Sequence, residues 1–290
     1  MFIKEHRNQY PLALVCEVLH ISPSGYHKWL RRKLSFREIE NQRILEMIRY
    51  HYNQSKGTYG LPRIFAAIRK QGLTVNKKRI ARLMRANNIK AKTKRRFKHT
   101  TVQSSKAAAS ENILNQNFIT SSENKIWTGD ITYLSTKQGW LYLAVVMDIY
   151  SRKIVGWSLN SSLSTELVTK ALMMAIVHRN PQRGIIFHSD RGSQYTSSSF
   201  RGILRNYGII QSMSSTGNCY DNAITESFFH TLKTELTYWE KYQTREEAKT
   251  SVFEYIEFNY NRRRLHSSLG YLSPVEFEMA NRQILIQNVA

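Results

Sequence analysis

The sequence predicts an α/β domain with a mixed five-stranded sheet and helices, preceded by an all-α, basic helix-turn-helix region. Three observations lead there. Before residue 100 the apolar residues recur at helical spacing, whereas from Lys125 short apolar runs alternate with helical stretches. The charge is just as unevenly divided. Residues 1–106 carry 25 basic and 5 acidic side chains, against 18 and 16 in residues 107–290, and together these make up the net +22. Between Met47 and Lys106 there is no Asp or Glu at all, against 17 Lys and Arg. A solvated surface normally carries both signs, so an uncompensated stretch implies a polyanionic partner, with nucleic acid first. An anionic membrane fits less well, since no helix with a large apolar face accompanies the charge.

Each N-terminal element has a local reason. Tyr10 to His20 places Leu12, Val15, Val18 and Leu19 on one helical face, and Ser22-Pro23 starts a second helix carrying His27, Lys28, Arg31 and Arg32. Two helices with a tight turn and a basic second member suggest a helix-turn-helix. Ser35-Phe-Arg-Glu38 is a capping box for a helix toward Asn53. Pro62 opens the next, to about Lys70, and Asn76 caps Lys77 to Asn87. On that last helix Ile80, Leu83 and Met84 form an apolar stripe, while Lys78, Arg82 and Arg85 line another face. Lys90 to Lys98, including Lys94, Arg95 and Arg96, reads as a basic arm, and residues 100–117 as Ser-, Ala-, Thr- and Asn-rich linker.

Ile126–Leu134, Trp140–Asp148 and Lys153–Leu159 read as three strands in an antiparallel meander. A helix from Thr165 to about His178, a buried strand Gly184–His188, a helix Ser197–Tyr207 and a strand Ile209–Met213 follow. A loop then leads to a helix from Asp221 to about Leu236. Three antiparallel strands and then helix-strand-helix-strand-helix is the element order of a ribonuclease-H-like domain. Thr244 caps a further helix to Asn261, and Ser273-Pro274-Val-Glu276 opens a short segment. The expected division is 1–34 helix-turn-helix-like, 35–99 basic helical DNA-binding domain, 100–120 linker, 121–236 catalytic core and 237–290 C-terminal helical extension.

Composition excludes several classes. No run of some 18 apolar residues suggests a membrane span, and Met-Phe-Ile-Lys-Glu-His-Arg lacks the apolar core of a secretory leader. Two cysteines, Cys16 and Cys219, support neither a paired-cysteine zinc finger nor a disulfide scaffold. A reduced cytoplasmic setting is expected.

Three carboxylates stand out. Asp130 interrupts an apolar strand, where a charge is costly unless paired or metal-bound. Asp190 lies just past a strand end, where α/β sheets place ligands. Glu226 shares a helix face with His230 and Lys233, opposite Ile224, Phe228 and Leu232. Converging carboxylates are hard oxygen ligands for Mg²⁺ or Mn²⁺, and a pair of ions would activate the attacking oxygen and stabilise the leaving one. Asp148 reads as orienting backbone or Arg152, and Asp221 as a helix cap. His188 either packs the core or positions water or phosphate. Trp127 and Trp140 read as core. Arg262, Arg263 and Arg264 form either a surface run or a phosphate contact.

The chain resembles the transposase encoded by the second reading frame of the insertion-sequence-three family, within the DDE integrase superfamily. The matching stretches are Trp127-Thr-Gly-Asp130-Ile-Thr-Tyr, Val146 to Trp157, His188-Ser-Asp190-Arg-Gly-Ser-Gln-Tyr195, Gly217 to Ala223 leading into Glu226-Ser-Phe-Phe, and Tyr260 through His266 to Gly270. Thr58-Tyr-Gly60 and Asn76 to Met84 match its helical region. The resemblance implies that Asp130, Asp190 and Glu226 are the catalytic, metal-binding triad of an integrase core, and that Lys233 is the family's basic residue. It also implies nicking of insertion-element ends and joining of the freed 3′-hydroxyl to a second DNA strand, with Mg²⁺ or Mn²⁺, two ions in all. Its implied partners are double-stranded DNA (terminal repeats and target), further copies of the chain in a synaptic complex, and an upstream-frame product fused to it. A circular intermediate and a nucleoid-associated bacterial location belong to the same expectation.

Two other readings compete. A non-catalytic DNA-binding regulator would keep the basic region without needing the triad. A plain ribonuclease-H-like nuclease acting on hybrids would not need two helical DNA-binding regions. A retroviral-type integrase would carry an N-terminal His-His-Cys-Cys zinc set, which this sequence lacks.

Overall fold

The computed structural model describes residues 2–6, 8–92, 110–114, 120–215 and 223–287. Lys94, Arg95, Arg96, Asp221 and the loop after Ser215 lie outside these. The N-terminal part is helical: α1 (Phe2–His6), α2 (Leu12–Val18), α3 (Pro23–Leu30), α4 (Phe36–Gln54), α5 (Leu61–Lys70) and α6 (Lys77–Ala86). The caps are those the sequence suggests. Ser22 Oγ accepts from Gly25 N–H, and Ser35 and Glu38 form a reciprocal capping box. Asn76 accepts from Lys78 N–H at the start of α6. Helices α4, α5 and α6 close on a core of Ile44, Ile48, Ile64, Ile68, Ile80 and Met84.

The second part is a mixed sheet in the order β3-β2-β1-β4-β5. β1 (Ile126–Thr136), β2 (Gly139–Asp148) and β3 (Ile154–Asn160) form the antiparallel meander, and β4 (Ile186–Ser189) and β5 (Ile210–Met213) join β1 in parallel. One face of the sheet packs on α7 (Thr165–Arg179) and α9 (Ser198–Asn206), with Trp127, Phe187 and Leu172 in that core. Short α8 (Ser193–Thr196) precedes α9. The other face packs on α10 (Ala223–Leu232) and α11 (Arg245–Glu254), where Leu134, Leu143 and Met147 meet Phe228, Leu232 and Val252. Both α10 and α11 run on into π-helical turns, Lys233–Thr237 and Tyr255–Tyr260. The segment opened by Ser273-Pro274 is longer than expected, a 14-residue helix α12 (Pro274–Gln287).

Of the expected linker, residues 110–114 lie along β5 instead of bridging freely. Glu111 O accepts from Met213 N–H, Ser212 Oγ accepts from Ile113 N–H, and Leu114 is buried against Ile126 and Ile149. The two parts are tied together by residues far apart in sequence. Leu265 completes the α4–α6 core, Tyr59 Oη donates to Arg263 O, and Arg63 donates to Leu265 O and to Glu235. Among the described residues no helix is long and apolar enough to cross a membrane.

Candidate active site

Asp130 is placed by the sheet. β4 pairs with β1 as far as Ser189 opposite Gly129, so both chains leave the parallel register together and Asp190 emerges beside Asp130. Gly129 is required here, because a Cβ at this position would sit 2.5 Å from Phe187 Cζ in the core beneath. Asp130 Oδ1 accepts the Ile131 N–H at 2.7 Å, and Asp190 Oδ1 accepts the Gly192 N–H at 3.0 Å. Both side chains are half-buried.

Glu226 comes from the first turn of α10 and is exposed. A contact the sequence reading missed brings it to the right height. Thr128 Oγ1 and Thr225 Oγ1, both buried, lie 2.9 Å apart and join α10 to β1 two residues before Asp130. The packed side of α10 is Thr225, Phe228, Phe229 and Leu232, with Ile224 only partly buried. A buried threonine on an otherwise apolar helix face was the available signal.

Burial, then the charge of Asp190, and to a smaller extent that of Glu226, push the Asp130 carboxyl up to about 8. The Ile131 N–H and the Lys233 ammonium oppose the rise. Asp190 is raised too, by burial, against the Gly192 hydrogen bond. Lys233, the first residue of the π-helical turn, is half-buried, with Nζ 5.2 Å from the centre of the Tyr133 ring. Burial lowers its pKa and the Asp130 charge raises it. Asp130 thus feels the charge of both other carboxylates. Among the described residues, however, no three His, Cys, Asp or Glu side chains stand close enough together to hold a metal ion.

The neighbouring candidates resolve individually. His188 is fully buried, with Nδ1 2.9 Å from Ser212 Oγ and Nε2 3.3 Å from Ser214 Oγ, so it links β4 to β5. Asp148 is buried and accepts the Asn124 and Tyr150 N–H groups; its charged neighbour is Arg179, not Arg152. Burial raises it to about 6. Trp127 is core as expected, whereas Trp140 is 51% exposed, contrary to the core reading. Lys78, Arg82 and Arg85 project from the exposed side of α6, and Ile80 and Met84 pack its other side. Arg262 and Arg263 are exposed. Arg264 is not available to phosphate. Its guanidinium is buried against Glu235, with Nη2 to Oε1 2.9 Å and Nε 3.0 Å from both carboxylate oxygens. The run of three arginines therefore divides, because only its last member faces the Glu235 carboxylate.

An integrase-type core with paired aspartates at its central strand ends, joined to a basic helical domain, defines a DNA strand-transfer class of protein. Family matches agree with that reading. The integrase core domain family covers residues 120–219, a second integrase core domain family covers 226–281, and an HTH-like domain covers 39–97. The transposase InsF for insertion sequence IS3A of Escherichia coli (strain K12) is 40% identical over 283 residues, spanning 97% of this chain and 98% of that protein. A 31 kDa uncharacterized protein of insertion element IS600 from Shigella sonnei is 39% identical over 93% of this chain and 99% of its own length. The catalytic core domain of BIV integrase aligns at 17% identity and a TM-score of 0.43, over 56% of this chain and 99% of its own. The chain belongs to the IS3-family transposases.

Proposed function

We propose that this transposase nicks the ends of its insertion element and joins the freed 3′-hydroxyl to a second DNA strand, with Asp130, Asp190 and Glu226 as its catalytic and metal-holding residues. The observation that carries the reading is the placement of Asp130 beside Asp190 at the end of the β1–β4 register, where burial, then the Asp190 charge and to a smaller extent that of Glu226 push the Asp130 carboxyl up to about 8. Such an arrangement costs stability and is relieved by a divalent cation. Three carboxylates are the donor chemistry for Mg²⁺ or Mn²⁺, two ions being the expected number; Asp130 and Asp190 would form the first part of the set, and Glu226 would have to close up from its exposed place on α10 to complete it. Bound there, the ions would supply Lewis-acid activation of the attacking and leaving oxygens.

The chain's own groups do the rest. Lys233 holds a backbone phosphate beside the scissile one, and its ammonium offsets the negative charge of Asp130. Lys78, Arg82 and Arg85 on α6 bind duplex phosphates, joined by Arg262 and Arg263 and by Lys94, Arg95 and Arg96. No side-chain nucleophile is needed, since water attacks in the nicking step and the 3′-hydroxyl in the joining step. Two element ends must meet, so the working form is a synaptic multimer of this chain, made as a fusion with the upstream-frame product, in the bacterial cytoplasm at the nucleoid.

The test is incubation of labelled element ends with the chain and Mg²⁺ or Mn²⁺, scoring 3′-end nicks and joined products. Asp130→Asn, Asp190→Asn and Glu226→Gln are each expected to abolish both while leaving DNA binding intact. Full nicking by any one of the three removes that residue from the assignment.

A further inference from the structure

Beyond the carboxylates, the β1–β2 hairpin carries a feature that strand transfer alone does not account for. Trp140 and Tyr133 are diagonal cross-strand neighbours on the same sheet face, since Tyr133 pairs with Tyr142 and Ser135 with Trp140. Their rings stand edge to face with centroids 5.0 Å apart, yet Tyr133 remains 53% and Trp140 51% exposed. Cross-strand packing accounts for one contact of each ring, Lys233 takes a second at Tyr133, and about half of each side chain remains exposed. These rings line a groove of about 570 Å³ together with Lys137, Lys233, Lys241 and Glu240. The charges there are three cations against one carboxylate, which suits a phosphodiester.

Two further observations connect this groove to the candidate active site. β4 pairs with β1 only as far as Gly129, so from Asp130 onward the β4-side edge of β1 is free of that strand. Lys233 is the common member, placed over the Tyr133 ring and within electrostatic reach of Asp130. The hairpin is also held in shape from outside. Lys137 N–H donates to Tyr242 O, Arg245 Nε donates to Trp140 O, and Gln138 Oε1 accepts from Arg245 N–H. Thr136 Oγ1 closes the turn onto Gly139 O at 2.7 Å. Open aromatic rings on a pre-set frame lose little entropy on binding.

We propose that this groove is a stacking platform for unpaired bases of the DNA strand held at Asp130, with Trp140 and Tyr133 taking the bases and Lys137, Lys233 and Lys241 the backbone. The inference rests on the DNA strand-transfer reading above and adds to it a requirement that DNA be opened beside the scissile phosphate. Bases inside a duplex hide their faces against one another, so an aromatic platform selects those that have left the stack. Sequence preference is low, since every base has a π-face.

The experiment measures binding of the full chain, in EDTA, to a short duplex ending in a single-stranded overhang that carries 2-aminopurine. The same duplex with a blunt, fully paired end is the comparison. The expected result is tighter binding of the overhang with quenching of 2-aminopurine, a preference that falls by about tenfold in Trp140→Ala and in Tyr133→Leu. Trp140→Phe should keep both preference and quenching, and thermal unfolding confirms that each variant folds. Equal binding of overhang and blunt ends by the unaltered chain overturns the proposal, as does an undiminished preference in a folded Trp140→Ala. Because no metal and no chemistry enter this assay, failure to nick element ends and failure to stack bases are separate results.

Discussion

Replacing Asp130 by Asn is expected to make the metal-free protein more stable while destroying its activity. An ordinary aspartate titrates at 3.8, and in the fold this one is driven up to about 8. The sign follows from linkage. Below 3.8 the group is protonated in both folded and unfolded chains and contributes nothing. Above 3.8 the unfolded chain ionises first, so the fold bears a penalty that grows until pH 8 and is constant beyond. At pH 7 the ceiling is about 4 kcal/mol, at roughly 1.4 kcal/mol per pH interval of one. Asp130 retains some solvent contact, which screens its neighbours and brings the figure to about 2 kcal/mol. Asparagine keeps an oxygen for the Ile131 N–H and carries no charge. In EDTA at pH 7 its unfolding midpoint should therefore lie about 4–8 °C above that of the unaltered chain. The gap should close toward pH 4. Millimolar Mg²⁺ should raise the midpoint of the unaltered chain and leave that of the variant nearly unmoved. Equal or lower stability of Asp130→Asn in EDTA, or a gap that persists at pH 4, would refute the reasoning.

Three further outcomes are expected. A methyl group added by Gly156→Ala would sit 2.1 Å from Ala171 O and 2.7 Å from Ala175 N, both backbone atoms of α7, so denaturant unfolding should register a loss of about 3 kcal/mol or more. His266 is held to about 3 by burial and by Arg264, Arg63 and Arg152, so the fold keeps it neutral while the unfolded chain takes a proton below 6.5. Stability is then lost as pH falls from 6.5 toward 3, about 2 kcal/mol of it by pH 5, and His266→Gln should remove that slope from acid titrations followed by circular dichroism. Replacing Lys78, Arg82 and Arg85 together by Ala should reduce the slope of log affinity against log salt by about 0.9 for each phosphate these side chains neutralise; an unchanged slope would take α6 out of the DNA interface.

Local chemistry made much of this molecule legible in advance. Ser22, Ser35 and Asn76 cap the helices they were assigned, because a cap depends on a side chain and backbone three residues apart or fewer. The alternation of the strands carried the sheet, and with it the neighbourhood of Asp130 and Asp190. What stayed hidden depends on partners distant in sequence. Nothing near Arg264 distinguishes it from Arg262 and Arg263 until Glu235 is brought against it. Trp140 reads as core by its type and strand position, yet it is 51% exposed beside the groove lined by Lys233 and Lys241. The Thr128–Thr225 contact joins residues 97 positions apart, which no periodicity encodes. The ends of α10 and α11 read as continuous helix in the sequence because a π-helical turn changes only the hydrogen-bond register, leaving composition untouched.

The contacts that dock the N-terminal helices bear on the order in which the chain can assemble during synthesis. Tyr59 and Arg63 find their partners at Arg263 and Leu265, and Lys70 at Glu276, each more than 200 residues downstream. Helices α4–α6 have most of their own core and can collapse while the ribosome is still working. Their seat, however, emerges more than 200 residues later. A nascent or prematurely terminated chain thus displays a basic helical domain that is folded but not yet anchored, and whose Arg63 lacks the Leu265 carbonyl. Long-range closure of this kind is slow compared with local helix formation. The basic helices are therefore presented to their surroundings before the contacts that fix them against the core can form.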